Sequence, residues 1–155
     1  TIASNSFEIE KAVLDADLVI GSVLVPGAKA PKLVTNALVA RMKPGSVLVD
    51  IAIDQGGCFE DSHPTTHADP TYSVHGSLFY CVANMPGAVA HTSTYALTNA
   101  TLPYVRSIAN LGWTEALRAD PALALGLNVH GGRVVNAAVA AAQGLEAGTV
   151  EAAIA

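Results

Sequence analysis

Long apolar runs, basic clusters, paired cysteines and a phosphate-binding glycine fingerprint are all missing from this 155-residue sequence. A membrane helix needs roughly 18 or more consecutive apolar residues. The best run here, Leu18 to Val25, is interrupted by Gly21 and Ser22 and stopped by Pro26, so no membrane partner is expected. The formal net charge is -5 with no basic block, which removes the electrostatic footprint of a phosphate-backbone binder and excludes nucleic acid as a partner. The two cysteines, Cys58 and Cys81, have neither zinc-knuckle nor redox-pair spacing, and nothing suggests a secreted disulfide framework. A reduced, cytoplasmic setting is expected. The motif G-x-G-x-x-G does not occur, nor does an acid placed after it for an adenosine ribose. If this is a dinucleotide domain, its first half is missing. Thr1 is not an initiator methionine and no basic stretch leads into an apolar one, so the chain reads as a fragment or a processed piece.

What is present is apolar and small: 51% of residues are hydrophobic and only 14% charged, enough material for one globular core. Ser6 to Ala16 has the spacing of a short helix. Ala16 to Gly21 is a compact apolar run of the kind buried on both faces of a parallel sheet. A loop from Ser22 to Gly27 follows, and then Lys32 to Met42 spaces Leu33, Val34, Leu38, Val39 and Met42 at helical intervals before the stop Lys43-Pro44-Gly45. Ser46 to Ile51 is a second buried strand. Strand, helix, strand in this order is a βαβ unit, whose crossover is right-handed in nearly all cases.

Phe59 to His75 is polar and proline-bearing, and predicts an excursion over the surface with room for a short pairing segment. Leu78 to Ala83 predicts a third strand ended by Asn84-Met85-Pro86-Gly87. Thr92 to Ala109 is helical in pattern, with Pro103 expected to separate two helices or to open the second. Trp113 to Arg118 reads as a further short helix, residues 127–135 as a hairpin turning at Gly131-Gly132, and Val135 to Leu145 as an alanine-rich helix that closes the core or packs on another domain or subunit. The fold class is thus α/β, the later half of a Rossmann-type doubly wound parallel sheet (residues 1–87) followed by C-terminal helices (residues 88–155).

Ligands of doubly wound sheets bind beyond the carboxyl ends of the strands. Three such ends carry small or polar residues here: Ser22 to Val25, Ile51 to Gly57 and Ala83 to Gly87. Asp54 at the second end is a candidate general acid or base, since a carboxylate shielded from water beside a nicotinamide can have its proton affinity raised. The competing role is a cap on the turn before Gly56-Gly57. Asp50, inside the strand, reads as a structural hydrogen-bonding residue. Asn84 offers an amide suited to a ribose, a carboxamide or a carboxylate, or else simply opens a proline-bearing turn. His63, His67, His75, His91 and His130 lack the pairing of a zinc site, and Pro64 prevents a helix that would align His63 with His67. Cys58 lacks a partner base and reads as a small inert hydrophobe.

The runs from Ala16 to Pro31, Met42 to Gly57 and Tyr80 to Gly87, continued through Thr92 to Thr101, closely resemble the alanine dehydrogenase and pyridine nucleotide transhydrogenase family, on its bacterial alanine dehydrogenase branch. The resemblance covers essentially the whole chain. It implies oxidative deamination of L-alanine to pyruvate and ammonia with NAD as hydride acceptor, and the reverse amination. It implies that Asp54 is an active-site residue, and that Val23, Leu24, Ile51, Ala52, Ile53, Asp54, Val82, Ala83, Asn84 and Met85 line the cofactor, with Ser4 near its adenosine end. A catalytic histidine and the residues that hold the substrate carboxylate are expected in an upstream domain outside this sequence. Family resemblance also implies a homo-oligomer, often a hexamer. Two rivals stand beside this reading: the NAD(H)-binding component of a proton-translocating transhydrogenase, and a cofactor-binding fragment without catalysis of its own. The ending Ile53-Asp54 disfavours the first.

Overall fold

The structure is a computed structural model that describes all of residues 1–155. The chain divides into two compact units, one made of residues 1–25 and 29–88, the other of residues 26–28 and 89–155. No helix is long and apolar enough to cross a membrane.

In the first unit, helix α1 (Ser6–Asp15) begins where the Asn5 side chain accepts a hydrogen bond from Glu8 N, a side-chain cap on an otherwise unpaired donor. Strands β1 (Leu18–Gly21), β2 (Val47–Asp50), β3 (Thr71–Val74) and β4 (Ser77–Tyr80) form one sheet in the order β1-β2-β4-β3. The first three in that order run parallel, and β3 pairs antiparallel with β4. The hairpin between β3 and β4 turns at His75 and Gly76, both with positive φ, as a two-residue primed turn requires. This is the pairing segment for which the stretch 59–75 left room.

Three expectations need correction. First, the sheet is covered on one face only. Val19, Leu48 and Phe79 are in register and pack in the core, but Leu18, Ile20 and Leu78 on the opposite face are exposed. A run of apolar residues specifies that a strand can be buried on both sides; within this chain β1 is an edge strand and nothing covers its second face. Second, the helix expected over Lys32–Met42 shrinks to α2 (Asn36–Val39). Leu33 N donates to Cys58 O, and Glu60 N to Val34 O, which draws residues 33–34 into an extended bridge beside Phe59. Thr35 then caps the short helix through Leu38 N. The apolar periodicity still marks burial, since Val34, Leu38, Val39 and Met42 all lie in the core. Third, Phe59 does not travel over the surface. It is 2% exposed and meets Phe79 edge to face at 6.1 Å between ring centroids, a favoured aromatic geometry.

The second unit contains α3 (Ala90–Leu111), α4 (Trp113–Ala119), α5 (Pro121–Ala124), the hairpin β5 (Val129–His130) and β6 (Arg133–Val134), α6 (Ala137–Gln143) and α7 (Val150–Ile154). Helix α3 runs through Pro103 without a break, contrary to the expected division. Proline removes one N–H and crowds the preceding turn, but the helix continues through it and has no buried residue. The hairpin turns at Gly131 and Gly132, both of positive φ. The buried apolar residues of this second unit are Ala116, Leu117, Val135 and Ala140.

Candidate active site

The carboxyl ends of β1, β2 and β4 are side by side, with Gly21 opposite Asp50 and Val49 opposite Tyr80. At the first tip, Gly21 has no side chain for a local reason. A Cβ there would stand 2.7 Å from Phe59 Cζ and would collide with Cys58 Sγ, so the glycine admits the return of the segment that follows β2. Beyond it, Val23 packs against the core, while Leu24 is exposed.

The second tip is built around two acids with opposite environments. After β2 the chain enters a 3-10 turn, Ile51–Gln55, closed by Gly56 in the left-handed conformation. Asp50 is fully buried and caps that turn, Oδ1 accepting from Ala52 N at 3.1 Å. Its Oδ2 accepts from Cys58 N at 2.9 Å, Phe59 N at 3.3 Å and Ser62 Oγ. The structural role read for Asp50 is the observed one, and the capping role weighed for Asp54 belongs to Asp50 instead. Asp54 is exposed, and its carboxylate, unlike its main chain in the 3-10 turn, takes part in no hydrogen bond or ion pair. Ile51 beside it is exposed as well, whereas the side chains of Ala52 and Ile53 are committed to the core.

Two further groups hold this loop. Lys32 Nζ donates to Gly56 O at 2.6 Å and Phe59 O at 2.9 Å, and Ala30 N donates to Gln55 O at 3.0 Å. Cys58, 1% exposed, donates its thiol to Asp50 Oδ1 at 3.5 Å. Burial first, then the charge of Asp50 and this hydrogen bond, push the thiol pKa up to about 11. A thiol held protonated is a poor nucleophile, in keeping with the inert role read for it.

At the third tip, Val82 is buried and bridges to Thr65, Ala83 and Met85 are half-buried and Asn84 is exposed. Asn84 has φ +56, a left-handed conformation that asparagine tolerates better than other non-glycine residues. The turn is tied by Gly87 N donating to Asn84 O at 2.9 Å, and the same oxygen pairs with His67 Nε2 at 3.0 Å. Ser4 takes part in none of these ties and lies in the exposed segment before α1. Sequence reasoning missed the supporting residues Lys32, Ser62 and His67. None of them stands in a motif, and only the fold brings them to the loops that they hold.

The second unit has a cavity of about 440 Å³ lined by Ile108, Trp113, Leu117, Leu123, Leu127 and His130 among others. Its wall is apolar apart from His130, whose ring lies 4.7 Å from that of Trp113. It has no carboxylate.

Parallel strands whose divergent end loops carry the polar residues define an α/β protein of the doubly wound, ligand-binding class. Residues 1–137 match the family model "Alanine dehydrogenase/PNT, C-terminal domain", and the chain belongs to that family. It is 68% identical over 137 residues to an alanine dehydrogenase of Mycolicibacterium smegmatis, covering 88% of this chain and 37% of that protein. It is 63% identical over 146 residues to an alanine dehydrogenase of Halomonas elongata, covering 94% of this chain and 39% of the relative. Among solved structures, an L-alanine dehydrogenase superposes with a TM-score of 0.75 at 57% identity, over 91% of this chain and 39% of that one. A transhydrogenase from Sinorhizobium meliloti superposes with a TM-score of 0.64 at 27% identity, over 87% of this chain and 36% of that one. The chain thus spans about two-fifths of the length of the relatives it matches, and its sheet is of their Rossmann type.

Proposed function

We propose that this chain is the C-terminal portion of an NAD-dependent alanine dehydrogenase, which converts L-alanine, NAD⁺ and water to pyruvate, ammonium, NADH and a proton, and runs the reverse amination. The observation that carries the proposal is Asp54: an exposed carboxylate without a partner, on a loop tied down on several sides, in a chain 68% identical to a protein named for this reaction. The more distant transhydrogenase likeness, at 27% identity, makes hydride exchange between two nucleotides the weaker reading.

The strand tips suit a nicotinamide dinucleotide. Exposed apolar Leu24 sits on the first tip, exposed apolar Ile51 shares the second with polar Asp54, and the third carries Asn84, the mixture of apolar surface and few polar anchors expected of a cofactor site. Val23, Leu24, Ile51, Ala83, Asn84 and Met85 would hold it by side chain or main chain, Ala52, Ile53 and Val82 by main chain alone, and Ser4 at the adenosine end. When bound, NAD⁺ supplies the acceptor for the hydride of the alanine α-carbon. Asp54 would take a proton on its carboxylate from the attacking water and return it to the departing ammonia. Residues 1–87 form the later half of the cofactor domain in this reading, and residues 88–155 a C-terminal helical segment that meets a substrate domain supplied from outside this chain. A cytoplasmic location agrees with two buried, unpaired cysteines. Homo-oligomerisation, in the hexamers common to the family, agrees with the exposed apolar residues of α3.

The test is Asp54→Asn in the full-length enzyme. Turnover of L-alanine should fall by about a hundredfold to ten-thousandfold, the usual contribution of a positioned acid or base, while NADH affinity measured by fluorescence stays within a few fold. Near-normal turnover in that variant removes Asp54 from the chemistry.

A further inference from the structure

Asp50 gathers donors from both ends of the loop that carries Asp54. Ala52 N comes from the first residues of the turn; Cys58 N, Phe59 N and Ser62 Oγ come from beyond its last. Residues 53–57 therefore form a loop closed at its base by one carboxylate. Gly57 makes that closure possible. It has φ +73, and a Cβ on it would stand 2.7 Å from Asp50 Oδ2 and 2.7 Å from Ser62 Cβ, forcing the carboxylate away from its donors.

The choice of acid is informative. Burying a carboxylate without a cation beside it is costly, and a lone helix cap is served as well by serine or asparagine at a surface. Here five donors, the Cys58 thiol included, converge on two oxygens, and a carboxylate offers acceptor oxygens at both positions with no N–H in the way. An asparagine amide would set an NH₂ against N–H or O–H donors at one of the two positions. The price is met at a place where the next exposed acid is the one read as working.

We propose that Asp50 is the positioning residue of the active-site loop: by tying Ala52 to Cys58, Phe59 and Ser62 it fixes the base of the loop and so holds Asp54 at the strand tip. The proposal rests on the reading of Asp54 as the working carboxylate.

The experiment is a double-mutant cycle in the full-length enzyme with Asp50→Asn, Asp54→Asn and both together, following kcat, KM for L-alanine, NADH affinity and the melting temperature. Asp50→Asn should lower kcat by roughly tenfold to a hundredfold, as displacement of a reacting group does, with NADH affinity within about threefold. On the Asp54→Asn background the same substitution should cost less than about twofold, because a residue that acts through another loses its effect when the other is gone. Losses that multiply across the cycle, or an unchanged kcat in Asp50→Asn, overturn the proposal. A near-normal kcat in Asp54→Asn alone is the separate result that removes the reading beneath it. If Asp50→Asn does not fold, Ser62→Ala removes one donor and leaves the carboxylate. Its loss of about threefold should vanish on the Asp54→Asn background; no loss, or one that persists there, overturns the proposal.

Discussion

In the unit of residues 1–25 and 29–88, the large apolar side chains Leu48, Phe59 and Phe79 are sealed from solvent, and one polar hub, Asp50, is sealed with them. In the other unit, the 22-residue helix α3 has no buried residue at all and shows Tyr95, Leu97, Leu102, Val105 and Leu111 to solvent. Both regions are rich in apolar residues, so composition does not separate them. The difference is closure: the sheet unit buries the apolar side chains of one sheet face against its own loops and helices, whereas α3 keeps its helical form without burying its apolar side chains in this chain. Stability measured on this chain should accordingly reside in the sheet unit, and the site loops are attached to that unit.

The largest effect expected of this contrast comes from Phe59→Ala. Phe59 is 2% exposed, stacks edge to face on Phe79 and fills the space that Gly21 leaves open. Truncation of such a buried ring costs about 3–5 kcal/mol, to be read from chemical denaturation. A cost below about 1 kcal/mol would mean that the sheet unit does not hold the stability assigned to it. A smaller effect separates the same region chemically. The Cys58 thiol is pushed from 9.0 up to about 11 by burial and by Asp50. The folded state therefore keeps a proton that the unfolded state gives up, so this stabilisation is whole below pH 9 and is lost as pH rises through 11. Alkylation of Cys58 in native protein at pH 8 should be slower than in urea by roughly a hundredfold or more, since a rise of about two pKa units leaves that much less thiolate. Equal rates in the two conditions would place Cys58 outside a closed core.

How much of this was legible in the sequence follows the same division. The βαβ order, the three tips and the apolar positions Val34, Leu38, Val39 and Met42 could be read because periodicity and turn residues are local signals. The extent of α2 could not, because the first residues of the expected helix are captured by Leu33 N donating to Cys58 O and Glu60 N donating to Val34 O, partners more than twenty positions along the chain. Asp54 was visible as an acid at a strand end, and Asp50 as a buried hydrogen-bonding acid. That Asp50 closes the loop beneath Asp54 was not visible, since its donors Cys58, Phe59 and Ser62 carry no motif and meet it only after the chain turns through Gly56 and Gly57. The exposure of Leu18 and Ile20 was hidden for another reason: periodicity records what a residue is suited to touch, not whether this chain supplies the partner.

The smallest expected effect is the sharpest test of the contrast. Leu97 is 65% exposed on α3, so Leu97→Ala in this chain removes little buried area and replaces leucine with a slightly better helix former. The change should lie within about 0.5 kcal/mol of zero, as surface substitutions usually do. Urea denaturation monitored by circular dichroism measures it beside Phe59→Ala in the same buffer, so the two regions are compared on one scale. A loss of 2 kcal/mol or more would mean that α3 buries Leu97 in solution, against a second copy of the chain or by folding back. Repeating the measurement over a hundredfold range of protein concentration separates these: a loss that grows with concentration belongs to association, because only an assembled state gains stability by mass action. A loss independent of concentration belongs to packing within one chain, and the division between a closed sheet unit and an open helix would then have to be abandoned.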